Sequence, residues 1–332
     1  EELSKNPFVL APMAGITDNA FRSFMKEMGC GIVVSELISA HGINFKSQKT
    51  LDLMKFEKTQ SPVGIQLFGE TPEAVAEAAK IVQDQGADFV DLNFGCPVKK
   101  VVCKGAGSAI LKDLTALTKM LSTVKKAITI PLTIKVRTGW DQNNRNTDEV
   151  ARIAYEEGIT WMAIHGRTRT QGYEGLADWD YIKYIKSVSK LPIIGNGDIH
   201  TPEQAIERMR TSGCDGVMIG RGCLKNPWIF RQALNLYLKE NEKTEKNFLE
   251  LLHALNSHLE KNFNEHVTGI QLKKFSGWFS AGYPGSAQFR RDIFQHKAPK
   301  DVLKHAEDYF VSIAHILQSD TSSERFLMGG HG

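Results

Sequence analysis

The sequence predicts an α/β protein: a (β/α)8 TIM barrel followed by a C-terminal all-helical domain. Three patterns predict it. Eight short apolar, β-branched runs recur along the first two-thirds of the chain, helical patterns separate most of them, and only helical patterns remain after residue 240. Strand alternating with helix, with near-continuous apolar strands, makes a parallel sheet. Eight such units close naturally into a barrel. A doubly wound open sheet is the alternative, but GxGxxG is missing between the first strand and its helix.

The strand-like runs are residues 8–13, 31–37, 63–68, 89–94, 132–137, 161–167, 193–198 and 216–221, each about the length of a buried strand. Thr71-Pro72-Glu73 opens a helix reaching Gln85, and Thr201-Pro202-Glu203 opens one reaching Met209, with Thr as cap and Pro at the first helical position. Asp113 is expected to cap the helix reaching Lys126, and Thr147 the one reaching Glu157. Gly86, Gly158 and Gly213 stand where left-handed helix ends are expected. Residues 239–247 carry six charges in nine positions and read as a helix end and linker, which divides the chain into 1–243 and 244–332. Helical patterns then cover 248–263, 269–279, 287–294 and 299–317, and a four-helix bundle is the simplest packing. In the last of them Val302, Leu303, Ala306, Tyr309, Phe310, Ile313, Ala314 and Leu317 keep the 3–4 spacing of an amphipathic stripe.

A barrel takes about 250 residues, so a chain of 332 fits one barrel and a small extra domain. No apolar run approaches the length of about 18 residues that a membrane-spanning helix needs. The first five residues are polar and acidic, unlike a secretory leader, and the missing initiator Met leaves room for an upstream segment. Five cysteines, an odd number without CxxC spacing, favour neither a disulfide framework nor a zinc site, and no metal is expected. A cytoplasmic monomer is the expected setting. The net charge of +3 is too small to imply nucleic acid by itself, so any RNA contact must be argued from where charges sit.

Chemistry in such a barrel gathers at the C-terminal strand ends. Those ends carry Met13, Glu36, Gln66, Asn93 with Cys96, Lys135 with Arg137, His165 with Arg167, Asn196 with Asp198, and Gly220-Arg221. Polar groups at nearly every end define a reaction site, whereas phosphate storage alone would need only the last few. Gly195-Asn196-Gly197-Asp198 and Gly220-Arg221-Gly222 follow strands seven and eight, where glycines let backbone N–H groups approach a phosphate. Arg221 can add a bidentate contact. Tight-turn geometry alone would also explain either segment taken singly.

A phosphate held there lays the rest of a cofactor across the mouth. Lys135 would then stand beside a flavin's N1–C2=O edge, where negative charge gathers on reduction; its alternative is pairing with Glu36 or Asp91. Gln66 and Asn93 offer donor and acceptor atoms suited to a ring edge or a bound base. Cys96 precedes Pro97 in a loop with Lys99, Lys100 and Lys104. An ordinary thiol, with a pKa of about 8.5, stays mostly protonated near neutrality and can act as a general acid. Nearby lysines would lower that value and favour a nucleophile instead. Cys103, in the same loop, is a bystander or a redox partner.

Seven segments together resemble the tRNA-dihydrouridine synthases, most closely their B-type bacterial branch. They are Ala11-Pro12-Met13-Ala14-Gly15-Ile16-Thr17-Asp18, Asn93-Phe94-Gly95-Cys96-Pro97, Lys104-Gly105-Ala106-Gly107-Ser108-Ala109, Lys135-Val136-Arg137-Thr138-Gly139-Trp140, His165-Gly166-Arg167-Thr168-Arg169, Asn196-Gly197-Asp198 and Gly220-Arg221. The resemblance runs in order over residues 7 to about 232 and more loosely to 273–291. It implies tightly bound FMN reduced by NADPH, with hydride passing to C6 of a uracil in tRNA and Cys96 protonating C5, so that uridine becomes 5,6-dihydrouridine. It places Gln66, Lys135 and His165 against the flavin, Asn196, Gly197, Gly220 and Arg221 near its phosphate, and Pro12, Met13, Ala14 and Asp198 also with the cofactor. Asn93 and Arg137 match positions near the uracil, and Lys99, Lys104 and Arg167 are placed with the substrate.

A uridine must leave its stack to meet a flavin face, so the RNA needs a second grip. Residues 245–332 hold ten Lys/Arg against ten Asp/Glu, but 269–300 hold Lys273, Lys274, Arg290, Arg291, Lys297 and Lys300 against Asp292 alone. Trp278, Phe279 and Tyr283 interleave with them, and basic residues near aromatics suit phosphate contact and stacking. The plain alternative is a solvated helix face around a packed Trp. The resemblance favours RNA contact at Lys273, Lys274 and Arg290. Seven of the ten histidines also fall in the tail, for which the sequence offers no account. A second reading is a small-molecule flavin oxidoreductase of the dihydroorotate dehydrogenase or ene-reductase type, which leaves the helical tail and basic loop unused. A third, an inert RNA-binding barrel, leaves Cys96, Lys135 and the phosphate turns without purpose.

Overall fold

The structure, a computed structural model, describes residues 2–240 and 244–321, apart from the side chains of Lys99 and Lys100. Its eight strands are β1 (Phe8–Leu10), β2 (Val33–Ser39), β3 (Val63–Phe68), β4 (Phe89–Phe94), β5 (Leu132–Arg137), β6 (Met162–His165), β7 (Ile193–Asn196) and β8 (Gly216–Ile219). All pair in parallel, in the order β1-β8-β7-β6-β5-β4-β3-β2. The two ends of that sheet meet where Val9 bridges Ile32 and the Leu10 N–H donates to the Ile32 carbonyl at 2.9 Å. The ring is therefore closed, as expected.

Successive side chains on a strand point to opposite faces, and the sequence uses the two faces differently. Inside the barrel, Val9, Val34, Phe89, Trp161, Ala163, Ile194 and Met218 form a separate apolar plug. Phe89 and Trp161 meet edge to face at 5.7 Å there. Gly64 makes room for them, since a Cβ on it would lie 2.2 Å from the Phe89 ring. One step further along each strand the inward residues turn polar: Gln66, Asp91, Asn93, Thr133, Lys135, His165 and Asn196. The outward faces pack against α1 (Asn19–Glu27), α2 (Ala40–Asn44), α3 (Pro72–Asp84), α4 (Leu114–Ala127), α5 (Thr147–Glu156), α6 (Trp179–Val188), α7 (Pro202–Ser212) and α8 (Ile229–Leu238).

Several strands end sooner than their apolar runs. Ala11 to Met13, Gly166 to Arg167, Gly197 to Asp198 and Gly220 to Arg221 leave the ladder and become the mouth. After β7 the positive φ of Gly197 and Asp198, 127° and 51°, turns the chain out of the sheet. Strand β2 starts and ends two residues later than expected, and its register slips between Val34 and Leu37. Ser35 stabilises this bulge, donating to the Glu36 carbonyl at 2.8 Å and accepting from the Gln66 N–H at 2.9 Å.

Most helix signals act as read. Thr201 and Gln204 form a capping box on α7, and Asp113 accepts from the N–H groups of Thr115 and Ala116 on α4. Gly86, Gly158 and Gly213 all have left-handed φ. Two caps differ. Thr71 holds the cap position of α3 without a side-chain bond, and Asn146, not Thr147, precedes α5. Thr147 is instead the first helical residue and is buried.

The tail forms α9 (Phe248–Asn262), α10 (Glu265–Phe279), α11 (Ser286–Ile293) and α12 (Pro299–Ile313). Helix α10 begins before the expected Gly269 because Asn264 caps it, accepting from the Val267 N–H. Helix α12 ends at Ile313, so Leu317 leaves the apolar stripe and is 92% exposed. Aromatic rings fill the bundle, with Phe248 on Phe310 at 4.6 Å and Phe289 on Tyr309 at 4.0 Å. The bundle sits on α1: Phe275 stacks on Phe21 at 4.8 Å, Asn262 accepts from Asn19 at 2.7 Å, and His258 meets Glu27 at 2.9 Å.

Candidate active site

The polar layer and the loops beyond it bound a cleft of about 90 Å³ that opens to solvent. Pro12, Met13, Lys135, His165, Asn196, Gly197, Asp198, Gly220 and Arg221 line it together, nine of the eleven residues placed with the cofactor. Ala14 is exposed beside them, and Gln66 lies deeper under Asn93. Lys135 donates to Asn196 Oδ1 at 3.1 Å across the barrel, rather than pairing with Glu36 or Asp91. Burial, and then Arg137, lower its pKa to about 8 against the opposing pull of Asp91 and Cys96. His165 is pushed well below the usual imidazole range, first by burial and then by Arg137, Lys135, Arg167 and Arg221, so the ring is neutral. This concentration of cation, with Asp198 4.0 Å from Arg221, suits an anionic ligand.

Gly197 can only be glycine, because a Cβ would lie 2.6 Å from that of Ala177. Asp198 is held by Arg167, whose Nη2 donates to both carboxylate oxygens at 2.9 and 2.8 Å, and by the Ala177 N–H at 2.7 Å. Arg167 is itself 3% exposed, with further bonds to the Glu174 and Gly175 carbonyls and a 3.3 Å contact to His165 Nε2. Its place is inside the wall. Arg137 is equally buried, donating to the carbonyls of Gly95, Thr168 and Gly172 at 2.8, 3.0 and 2.8 Å. It thereby ties the loop after β4 to the loop after β6.

Cys96 stands on the first of those loops. Its N–H donates to Asn93 Oδ1 at 2.8 Å and its carbonyl accepts from Ser108 Oγ at 2.9 Å. The sequence left its protonation open, and here burial outweighs Arg137 and Lys135 and raises its pKa. The thiol keeps its proton, as a general acid requires. Asn93 is oriented in turn by a chain of bonds: Asn93 Nδ2 donates to Gln66 Oε1 at 2.8 Å and Gln66 Nε2 to Asp91 at 2.7 Å. Thr133 Oγ1 donates to the other Asp91 oxygen at 2.6 Å. Asp91 is fully buried, with its pKa raised to about 6 by burial against the pull of Gln66, Thr133 and Lys135.

Asp91 and Thr133 were not assigned to the site from sequence, although period-two alternation from Asn93 and Lys135 points to both. Tyr173 was missed for a different reason: it lies on an irregular loop, where no period applies. Its half-exposed ring stands 4.7 Å from the Arg221 guanidinium, 5.7 Å from that of Arg137 and 6.2 Å from His165.

Basic residues placed with the substrate are scattered. The side chain of Lys99 lies outside the described residues. Lys104 is exposed and 3.5 Å from Glu70. Lys273 and Gly277 are one turn apart on α10, and Arg290 packs against Gly277, so Lys273 and Arg290 share a surface. Lys274 turns the other way, to the Gly15 carbonyl.

A closed parallel barrel with a cleft at its C-terminal mouth has the layout of a (β/α)8 enzyme. The model of the dihydrouridine synthase family matches residues 9–314, and the chain belongs to that family, one of flavin-dependent oxidoreductases. It is 39% identical over 319 residues to a probable tRNA-dihydrouridine synthase of Rickettsia conorii, covering 94% of this chain and 95% of the relative. It is 40% identical over 295 residues to tRNA-dihydrouridine synthase B of Pseudomonas putida, with 86% of each chain covered. The B-branch resemblance carried by the motifs is thus borne out. Among solved structures, histamine dehydrogenase from Rhizobium sp. 4-9 matches with a TM-score of 0.53 at 15% identity over 76% of this chain, which bears on the fold alone. The chain spans about half the length of that protein.

Proposed function

We propose that this protein reduces uridine to 5,6-dihydrouridine in tRNA, with residues 1–243 as the catalytic unit and 244–332 holding the RNA. The observation that carries the reading is the cleft where Lys135, His165, Asn196, Gly197 and Arg221 converge, with Cys96 on the adjoining β4 loop that Arg137 anchors through the Gly95 carbonyl. FMN, reduced by NADPH, supplies the hydride for C6 of the uracil when bound there. Lys135 would face the flavin's pyrimidine edge, where a cation favours the charge of the reduced form. His165, Pro12, Met13 and Ala14 would frame the ring, with Gln66 acting from beneath through Asn93, while Asn196, Gly197, Gly220 and Arg221 would hold the phosphate end. Arg167 acts here through Asp198, fixing the turn beside that phosphate. Asn93 would present the uracil, Arg137 would fix the Cys96 loop beside it, and Cys96 would deliver its proton to C5. Lys99, Lys104, Lys273 and Arg290 would grip the RNA backbone.

The reading is tested by the visible spectrum of the purified protein, reconstituted with FMN where needed. A flavin spectrum bleached by NADPH without oxygen and restored by unmodified tRNA is the expected result. Bleaching that tRNA leaves untouched would instead support a small-molecule reductase.

A further inference from the structure

The loop that leaves β1 carries Pro12 and Met13 into the wall of the cleft. Its first turn is self-contained: Thr17 Oγ1 accepts from the Met13 N–H at 2.9 Å, and the N–H groups of Ile16 and Thr17 both donate to the Met13 carbonyl at 3.0 Å. The tip at Ala14 and Gly15 is different. It is exposed, and a Cβ on Gly15 would meet nothing within 4 Å. Two side chains hold its peptide groups instead. Glu36, aimed inward after the β2 bulge, accepts from the Gly15 N–H, and Lys274 donates to the Gly15 carbonyl.

Lys274 comes from the tail. It lies on α10 one residue before Phe275, whose stack on Phe21 seats the bundle on the barrel. Its ammonium stands 5.2 Å from the Trp278 ring and is drawn toward Asp18 and Glu36. Neighbouring residues on a helix point about 100° apart, so Lys273 reaches the surface shared with Arg290 while Lys274 reaches the mouth.

We propose that Lys274 is a positioning residue through which the C-terminal helices hold the tip of the β1–α1 loop against the cofactor cleft. The tail then completes the site in addition to any grip on RNA. Docking that shifts α10 must also shift the loop, and by reciprocity an occupied cleft must favour one seating of α10. The effect on cofactor binding rests on the FMN reading above, whereas the hold on the loop does not.

The test uses the full chain as Lys274→Met, with Lys274→Arg as the variant that keeps a donor, and Glu36→Gln as a milder cut from the other side. Hydrogen exchange of residues 12–18 is measured without ligand, FMN affinity by titration, and tRNA affinity across a salt series. Expected for Lys274→Met is several-fold faster exchange confined to that loop and FMN binding weakened about tenfold, a usual size for coupling between sites. Lys274→Arg restores both, and the salt dependence of tRNA binding keeps its slope. Unchanged exchange overturns the proposal. A salt slope reduced by about one, with exchange and FMN affinity intact, overturns it too and makes Lys274 a phosphate contact. Faster exchange in a protein whose wild type binds no FMN upholds the hold on the loop and discards the cofactor reading.

Discussion

The barrel mouth and the tail surface both display cations, but they hold them in opposite ways. Arg137 and Arg167 are 3% exposed and pinned to backbone carbonyls and Asp198, and Lys135 lies against Asn196. Lys273 and Arg290 are half-exposed on helices, with neither buried in a carboxylate pair. A cation fixed in a low-dielectric wall acts strongly on charge that forms at one point, and needs no rearrangement to do so. A half-exposed one attracts any phosphate within reach and is screened by salt. The mouth is built to favour one event, the tail to tolerate many surfaces.

That contrast can be broken at its sharpest point by Cys96→Ala. Loss of a general acid should lower uridine reduction by about 10²–10⁴-fold while NADPH still bleaches the flavin; normal product yield would remove Cys96 from the mechanism. Next comes Lys135→Met, expected to weaken FMN binding about tenfold to a hundredfold, the scale of 1.4–2.8 kcal/mol of lost charge stabilisation. Equal affinity would take Lys135 away from the flavin.

The pH dependence sharpens the same point. Because burial lowers the Lys135 pKa to about 8, its positive charge is complete below that value and lost above it. FMN affinity should therefore fall as pH rises through about 8, and the Lys135→Met curve should be flat over that range. Identical curves would contradict the assignment. The smallest effect is expected in the tail, where Lys273→Glu with Arg290→Glu should weaken tRNA binding and reduce its salt slope by about two. Equal affinity at physiological salt would take this surface out of RNA binding.

The same division explains what the sequence revealed. The polar layer was legible because Asn93, Lys135, His165 and Asn196 fall at strand ends, and apolar runs mark the strands beneath. Asp91 and Thr133 lie one period-two step below those ends, on the same inward face. The resemblance placed Arg167 with the substrate; its inward turn depends on Asp198, a partner 31 residues away. The two lysines at 273 and 274 read as one basic patch in sequence and belong to two surfaces on the helix. Tyr173 and the β2 bulge arise from loop paths and register, which pattern alone does not fix.

The bulge has a consequence for how this chain tolerates change in length. Strand β2 uses three steps from Val34 to Leu37 where β3 uses two from Gly64 to Gln66. Deleting either Ser35 or Glu36 would restore an even ladder, and a one-residue slip exchanges the faces of a strand. The carboxylate that grips Gly15 would be lost or turned away, while Val34 and the plug below could stay in place. Most single-residue deletions in a barrel strand threaten folding. Here one could leave a folded barrel whose mouth has lost the inner anchor of its first loop, so a loop grafted onto this chain should be anchored on the bulge before it is anchored on the mouth.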